Sequence, residues 1–249
     1  MVIAITGSVA AVVAVFMQAP IQGYFDSARR AELTDTADTA IRRISRDVHL
    51  ALPNSVRLAT PQVMEFLQTR TGGRYRADGG DPLGFAQANP ADTTFDVLGP
   101  AVTMATGDQI VIFNLGIPGA DAYTGGNRRT YNGAVGAVTN IAIAPVALPF
   151  PLDSPGRRFQ VVDTPVTYIC DLAAGTLTRF WGYAITATQP NPPPVGTPSA
   201  LLAKNVSACN FTYAPGVTAR SGLVSMQLAI TQNNETVSLY HAAHVSNAP

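Results

Sequence analysis

The sequence predicts an α+β fold in which one long N-terminal helix packs on a mostly antiparallel β-sheet domain. Helical periodicity runs from the start of the chain to Pro53, and short β-rich runs separated by Gly, Pro, Asn and Asp follow it. The length of 249 residues, with 47% hydrophobic residues, suffices for one such helix and one domain with a real core. We predict an apolar helix half at 1–19, an amphipathic helix half at 20–52, and a β-rich head domain at 53–249.

The first helix half is almost wholly apolar between residues 1 and 19. A helix that crosses a bilayer needs roughly 20 apolar residues, so this segment is predicted to lie in a membrane or in the apolar core of an assembly. Small residues recur in it at steps of four, which lets helices approach closely. The candidate helix-packing residues are Gly7, Ala10, Ala11 and Ala14. An ordinary alanine-rich membrane anchor would show the same pattern.

The second helix half carries apolar residues at steps of three and four. Their stripe is predicted to pack on the sheet, with Ile41, Ile44 and Val48 as candidate packing residues. Arg42, Arg43, Arg46 and Asp47 are expected on the opposite, solvated face. Pro53 is expected to end the helix.

The head domain is predicted to contain short strands and two hairpins. Runs at 63–69, 95–98 and 109–115 have strand character, while 71–90 is expected to be mostly loop. The predicted hairpins join 166–171 to 176–183 and 223–231 to 236–245. The proline-rich segment 189–199 cannot form a central strand, because proline lacks the donor that a strand ladder needs.

The formal net charge is zero, and Lys204 is the only lysine. No electrostatic field for nucleic acid is implied, so nucleic acid is not an expected partner. Cys170 and Cys209 are the only cysteines, and they predict either a disulfide in an oxidising compartment or two buried free thiols. Arg29 and Arg30, which follow the apolar half, would by themselves keep that side of a membrane helix in the cytoplasm.

No catalytic or cofactor motif is complete in the sequence. P-loop, HExxH and G-x-S-x-G motifs are absent, and no nucleophile, base and orienting group can be assembled. His49 is expected to be solvated or packed on the helix. His241 and His244 lie three apart on a predicted strand and therefore point to opposite faces. We expect no enzyme activity, no cofactor and no small-molecule substrate.

Two weaker candidate sites have plain structural alternatives. Asp78, Asp81 and Asp121 lie in glycine-rich loops and could bind Ca²⁺, although solvated loop acids look the same. Trp181 and Tyr183 alternate on a predicted strand and could form a sugar-binding platform, although core packing explains them more simply.

Several stretches of the chain resemble the MshO-type minor pilin-like proteins of the MSHA pilus biogenesis system, within the type IV pilin and pseudopilin class. They are SARRAELTDTADTAIRRISRDVHLALPNSVR, EFLQTRTGGRYRADGGDPLGF, TFDVLGP, GDQIVIFNLGIPGADAY and SLYHAAHVSN. The opening MVIAITG, followed by small apolar residues, resembles the interior of the type IV prepilin N-terminus. The resemblance implies a type IV pilin-like fold and a minor structural subunit that takes part in assembling an MSHA-type pilus. It implies a single-pass bacterial inner-membrane protein with its head in the periplasm, and later a place in the pilus at the cell surface. The implied partners are other pilins and minor pilins, the inner membrane and the pilus assembly platform.

The complete form of this family carries a basic leader, a Gly-Phe cleavage site and a glutamate within the apolar run. None of these occurs here, so we expect the DNA upstream of Met1 to encode them. Two alternatives stay open. One is a J-type minor pseudopilin of type II secretion, and the other is a membrane-anchored extracytoplasmic binding or adhesion module.

Overall fold

The computed structural model describes residues 2–85, 92–145, 149–216 and 221–247, without the side chains at 4, 8, 10, 11, 14, 15 and 17–21. Helix α1 spans Val2–His49. The strands are β1 (Arg57–Thr60), β2 (Val63–Tyr75), β3 (Thr94–Leu98), β4 (Val102–Met104), β5 (Gln109–Ile112), β6 (Arg128–Thr130), β7 (Gly136–Val138), β8 (Asn140–Ala142), β9 (Arg158–Asp171), β10 (Thr176–Trp181), β11 (Ser199–Lys204), β12 (Val206–Ala214), β13 (Gly222–Gln232) and β14 (Glu235–Val245).

Helix α1 ends in a tight turn that joins it to the head domain. The amide of Leu50 donates to the carbonyl of Asp47 at 3.1 Å, and the helix stops before Pro53, which has no donor to continue it. The amide of Leu52 then donates to the carbonyl of Leu67 in β2 at 2.7 Å. The segment that directly follows the helix is therefore hydrogen-bonded to a central strand.

The largest sheet has nine strands, with β2 and β9 at its centre. Its main order is β11-β10-β9-β2-β3-β8, while β1 pairs with β2, and β5 pairs with both β6 and β9. All of these pairs are antiparallel. The predicted hairpin around Gly175 is present as β9 and β10. Strand β2 continues to Tyr75, so the first part of the segment expected to be loop is strand instead.

A second sheet is formed by β12, β13 and β14 in that order, and β4 pairs with β7 in a third. The predicted C-terminal hairpin is present as β13 and β14, in continuous register from Gly222–Val245 to Gln232–Glu235. Its turn residues Asn233 and Asn234 have φ of 49° and 64°. Positive φ at both central residues is the geometry of a type I′ turn, which asparagine tolerates well.

Three clusters of buried apolar residues lie between these elements. The largest joins the C-terminal third of α1 to the two larger sheets. The second lies around Phe95 and Phe159, whose ring centroids are 5.4 Å apart, and the third around Leu67 and Val162. Neither of these two clusters contains a residue of α1.

The predicted fold class, an α+β type IV pilin-like fold with a long helix packed on a mostly antiparallel sheet domain, is wrong. The protein is mostly β-sheet, and the strands in the described residues are divided among three sheets. Leu33 is the first buried residue of α1, and every described side chain before Arg29 is exposed. The physical reason is that two of the three buried apolar clusters contain no residue of α1, and the helix contributes to the core only from Leu33 onward.

Candidate functional site

The last third of α1 lies on the three-stranded sheet through an apolar stripe. The predicted packing residues Ile41, Ile44 and Val48 are buried, with exposures of 4%, 1% and 0%. They belong to the same cluster as Met226 and Leu228 of β13. Burying an aliphatic side chain of this size contributes roughly 1.5 to 3 kcal/mol, so this contact holds the helix firmly.

Asp47 lies within this contact and accepts hydrogen bonds from the nine-stranded sheet. It is 4% exposed, and its Oδ2 accepts from the Tyr168 hydroxyl and from Arg179 Nε, both at 2.7 Å. Burial, and next the negative charge of Asp47, raise the pKa of the Tyr168 hydroxyl, which therefore remains a donor. The prediction that Asp47 lies on the solvated face is wrong. Its position between Ile44 and Val48 places it at the edge of the buried stripe, where Arg179 compensates its charge.

Glu65 forms a second buried polar centre beneath β1. It is fully buried, and its Oε1 accepts from Arg57 Nε at 2.9 Å and from Arg57 Nη2 at 2.6 Å. Its Oε2 accepts from the Tyr183 hydroxyl at 3.0 Å. The Thr167 hydroxyl forms hydrogen bonds with both Glu65 Oε2 and the Tyr183 hydroxyl. Burial, and next the charge of Glu65, raise the pKa of Tyr183. The Arg57 guanidinium also lies 3.5 Å from the centroid of the Tyr123 ring. These contacts join β1, β2 and β9.

The predicted disulfide between Cys170 and Cys209 is confirmed. It joins β9 of the nine-stranded sheet to β12 of the three-stranded sheet, with a Cα–Cα distance of 6.2 Å. Both cysteines lie in the apolar cluster that also contains the helix stripe. The covalent bond therefore holds together the two sheets against which the helix packs.

The N-terminal part of α1 presents apolar side chains that are exposed in the described part of the chain. Exposed fractions are 88% for Ile3, 80% for Phe16 and 73% for Tyr24. Gly7 is exposed, and a Cβ added there would meet no atom within 4 Å. The side chains of the other three predicted packing residues, Ala10, Ala11 and Ala14, lie outside the described residues. Among the described residues, no helix has a window long and apolar enough to span a membrane.

The remaining candidate residues lie apart from one another. His49 and His244 are exposed, and His241 Nε2 lies 3.1 Å from Ser45 Oγ on the helix. Within the described ranges, no three or more His, Cys, Asp or Glu residues are grouped so that they could hold a metal ion. Asp78 is exposed and lies 3.5 Å from Arg157.

The aromatic pair that could have formed a sugar platform is not one surface. Tyr183 is buried against Glu65, whereas Trp181 is partly buried and packs against the large apolar cluster. The guanidinium of Arg179 lies 4.9 Å from the Trp181 ring centroid. The two rings therefore serve separate contacts.

Sequence reasoning missed the two buried acids, Asp47 and Glu65. For Asp47, its spacing from Ile44 and Val48 indicates a position beside the buried stripe. For Glu65, the alternation of apolar residues along β2 is too weak to indicate burial.

The protein thus combines an exposed apolar helix end with a rigid attachment of that helix to a disulfide-bonded β domain. No protein-family model, curated protein or solved structure matches the chain.

Proposed function

We propose that this chain is a minor structural subunit that takes part in assembling an MSHA-type type IV pilus. In this proposal the N-terminal part of α1 inserts among the helices of neighbouring pilins, and the β-rich head remains on the outside. No catalytic step is part of the proposed role. The observation that carries the proposal is the uncovered apolar end of the helix.

The exposed apolar residues of α1 support an intermolecular contact. Val2, Ile3, Ile5, Val9 and Phe16 are between 57% and 88% exposed, and they follow one another along a single helix. Monomeric proteins rarely expose contiguous apolar surface on this scale, because leaving it in water costs roughly 25 cal/mol per Å². Neighbouring apolar helices would remove this surface from water.

The rigid attachment of the helix to the head domain supports a position in which the subunit carries tension along a filament. A subunit held in a filament by its helix transmits any pull on the filament through the contact between helix and head. Here that contact contains the buried Ile44 and Val48 and the buried ion pair of Asp47 with Arg179. The Cys170–Cys209 disulfide resists separation of the two sheets beneath the helix. Disulfides persist in oxidising compartments, which agrees with a head domain in the periplasm and later at the cell surface.

Deletion and complementation in the source bacterium test the proposal. We expect the deletion strain to lose most of its surface pili in electron micrographs, and the tagged chain to appear in sheared filaments by mass spectrometry. Phe16→Arg should reduce the chain in sheared filaments at least about tenfold, because a buried charge among apolar helices is costly. The matched control is Val195→Arg, at a fully exposed loop position of the head, which should enter filaments normally.

Two results would contradict the proposal. One is a deletion strain with normal pili, together with sheared filaments that contain none of the tagged chain. The other is equal incorporation of the Phe16→Arg and Val195→Arg proteins at equal cellular levels. Either result would mean that the exposed apolar helix is not the assembly surface.

A further inference from the structure

Strand β14 forms one edge of the three-stranded sheet and has an unpaired outer side. In the described ranges, β13 is the only strand that pairs with it. Its register with β13 continues through all eleven residues without a bulge. Its sequence, ETVSLYHAAHV, contains neither proline nor lysine, which are devices that natural proteins use to block an open edge. The strand is therefore a long and unprotected template for pairing.

The hairpin geometry identifies which amides of β14 point outward. Because the turn at Asn233 and Asn234 has two residues, the flanking pair Gln232–Glu235 is hydrogen-bonded, and bonded pairs then alternate along the ladder. The amide of Thr231 donates away from β14, to the carbonyl of Asn205 at 2.8 Å, as this alternation requires. The residues with outward N–H and C=O groups are Thr236, Ser238, Tyr240, Ala242 and His244.

The other sheet edges in the described part of the chain are covered, interrupted or short. At the opposite edge of the same sheet, the amide of Phe211 in β12 donates to the carbonyl of Pro61 at 2.7 Å. Strand β11 has an irregular register with β10, and β8 has only three residues. The edge of β14 is thus the one best suited to accept another strand.

The groove between this edge and α1 is lined by basic side chains near His241, whereas Asp35 and Asp38 lie in its part beside Leu239. Its cavity next to His241 has a volume of about 550 Å³ and is lined on the helix by Thr39, Arg42, Ser45, Arg46 and His49. Arg42 pairs with Asp38 at 2.6 Å. The Arg46 side chain is exposed, and it makes no hydrogen bond or ion pair with any described residue. The unpaired positive charge at this end of the groove favours a carboxylate.

We propose that the outer edge of β14 binds an extended, acidic segment of a partner protein as a fourth strand. The backbone of that segment would pair with the five outward-facing residues of β14. Its side chains facing the helix would enter the groove, and a carboxylate there would pair with Arg46. Main-chain pairing supplies affinity in this mode of recognition, and side-chain pockets supply specificity. This binding does not depend on the role of the helix in a filament.

A second copy of the chain is a less suitable occupant. Helix α1 runs in the same direction as β14, since Arg30 pairs with Glu235 at 3.0 Å and Ser45 contacts His241 farther along both elements. Two β14 edges paired antiparallel would direct the two apolar helix ends to opposite sides. That arrangement would prevent both ends from sharing one apolar environment.

The test uses the full chain in mild nonionic detergent and a short blocked peptide in which glutamate alternates with valine and threonine. Fluorescence anisotropy measures the binding of the peptide. Hydrogen exchange measures the protection of the backbone amides of β14. We expect saturable binding that weakens with added salt, and new protection at Thr236, Ser238, Tyr240, Ala242 and His244. The same peptide with lysine in place of glutamate should bind at least about tenfold more weakly.

Two pairs of variants separate the backbone and charge contributions. Ala242→Pro removes one outward N–H but leaves the bonds to β13, so it should abolish binding, whereas Ala242→Val should leave binding nearly unchanged. Arg46→Glu should weaken the glutamate peptide about tenfold and strengthen the lysine peptide. Its control is Arg74→Glu, in β2 of the other large sheet. These two charge variants keep the proposal testable if Ala242→Pro does not fold.

Three outcomes would overturn the proposal. The first is the absence of saturable binding by the glutamate peptide to the folded protein. The second is equal binding of the two peptides, which would remove the acidic specificity. The third is protection of the β14 edge that rises with protein concentration in the absence of peptide, which would identify a second copy as the occupant.

Discussion

Replacing Asp47 by alanine should weaken the attachment of the helix to the nine-stranded sheet and lower the free energy of unfolding. The Asp47 carboxylate accepts hydrogen bonds from Tyr168 and Arg179, and the side chains of Asp47 and Arg179 are only 6% and 10% exposed. Asp47→Ala leaves the Arg179 guanidinium buried without its counter-ion. Arg43 contributes little, because its side chain is 44% exposed and its Nε lies 3.4 Å from Oδ1.

The expected loss is large for a single substitution. Breaking a buried ion pair by removing one partner typically costs about 3 to 5 kcal/mol, because an uncompensated charge stays buried. Asp47→Asn keeps the volume and one acceptor oxygen, so it should cost less, about 1 to 3 kcal/mol. Asp47→Ala combined with Arg179→Met should recover part of the loss, since neither charge then remains unpaired.

Urea denaturation of the full chain in nonionic detergent measures these free energies of unfolding. Trp181 is the only tryptophan and lies against Arg179, so its fluorescence reports on this region. We expect a coupling free energy between Asp47 and Arg179 of at least about 1 kcal/mol in the double-mutant cycle. A cost of Asp47→Ala below about 0.5 kcal/mol, or additive effects of the two substitutions, would refute the reasoning.

The remaining predictions concern packing, the disulfide and alkaline pH. Ile44→Ala should cost about 2 to 5 kcal/mol by leaving a cavity, whereas the exposed control Arg42→Ala should change stability by less than about 0.5 kcal/mol in the same urea assay. Replacing Cys170 and Cys209 by serine removes the disulfide, which spans a sequence separation of 39. The double substitution should lower the free energy of unfolding by about 4 kcal/mol in the chain-entropy model. Equal stability of the oxidised protein and the variant would contradict this prediction. Burial raises the pKa of Tyr183, so the folded state keeps a proton that the unfolded state loses above about pH 10. The free energy of unfolding should therefore fall as pH rises above about 10, and less steeply in Tyr183→Phe; identical pH profiles would contradict that assignment.

The sequence-based fold class was wrong because local pattern does not reveal how strands are shared among sheets. The strand character of the segments around Gln109 and Thr94 was visible, and so were the two hairpins. Their partners were not, because β5 pairs with β9, whose residues lie about fifty positions later in the chain. Pairing between strands far apart in the chain therefore decides the arrangement of the sheets, and the periodicity of α1 carries no information about it.

The sequence by itself determined the apolar end of α1 and which two cysteines any disulfide must join. The first follows from composition, and the second from the presence of only two cysteines. Only the tertiary structure decided that Asp47 is buried and that the edge of β14 is open. Both depend on contacts between residues far apart in the chain: Arg179 compensates the charge of Asp47, and no described strand reaches the outer side of β14. Local periodicity carries no information about such long-range pairing, because the free energy that decides it comes from groups that meet only in the folded protein.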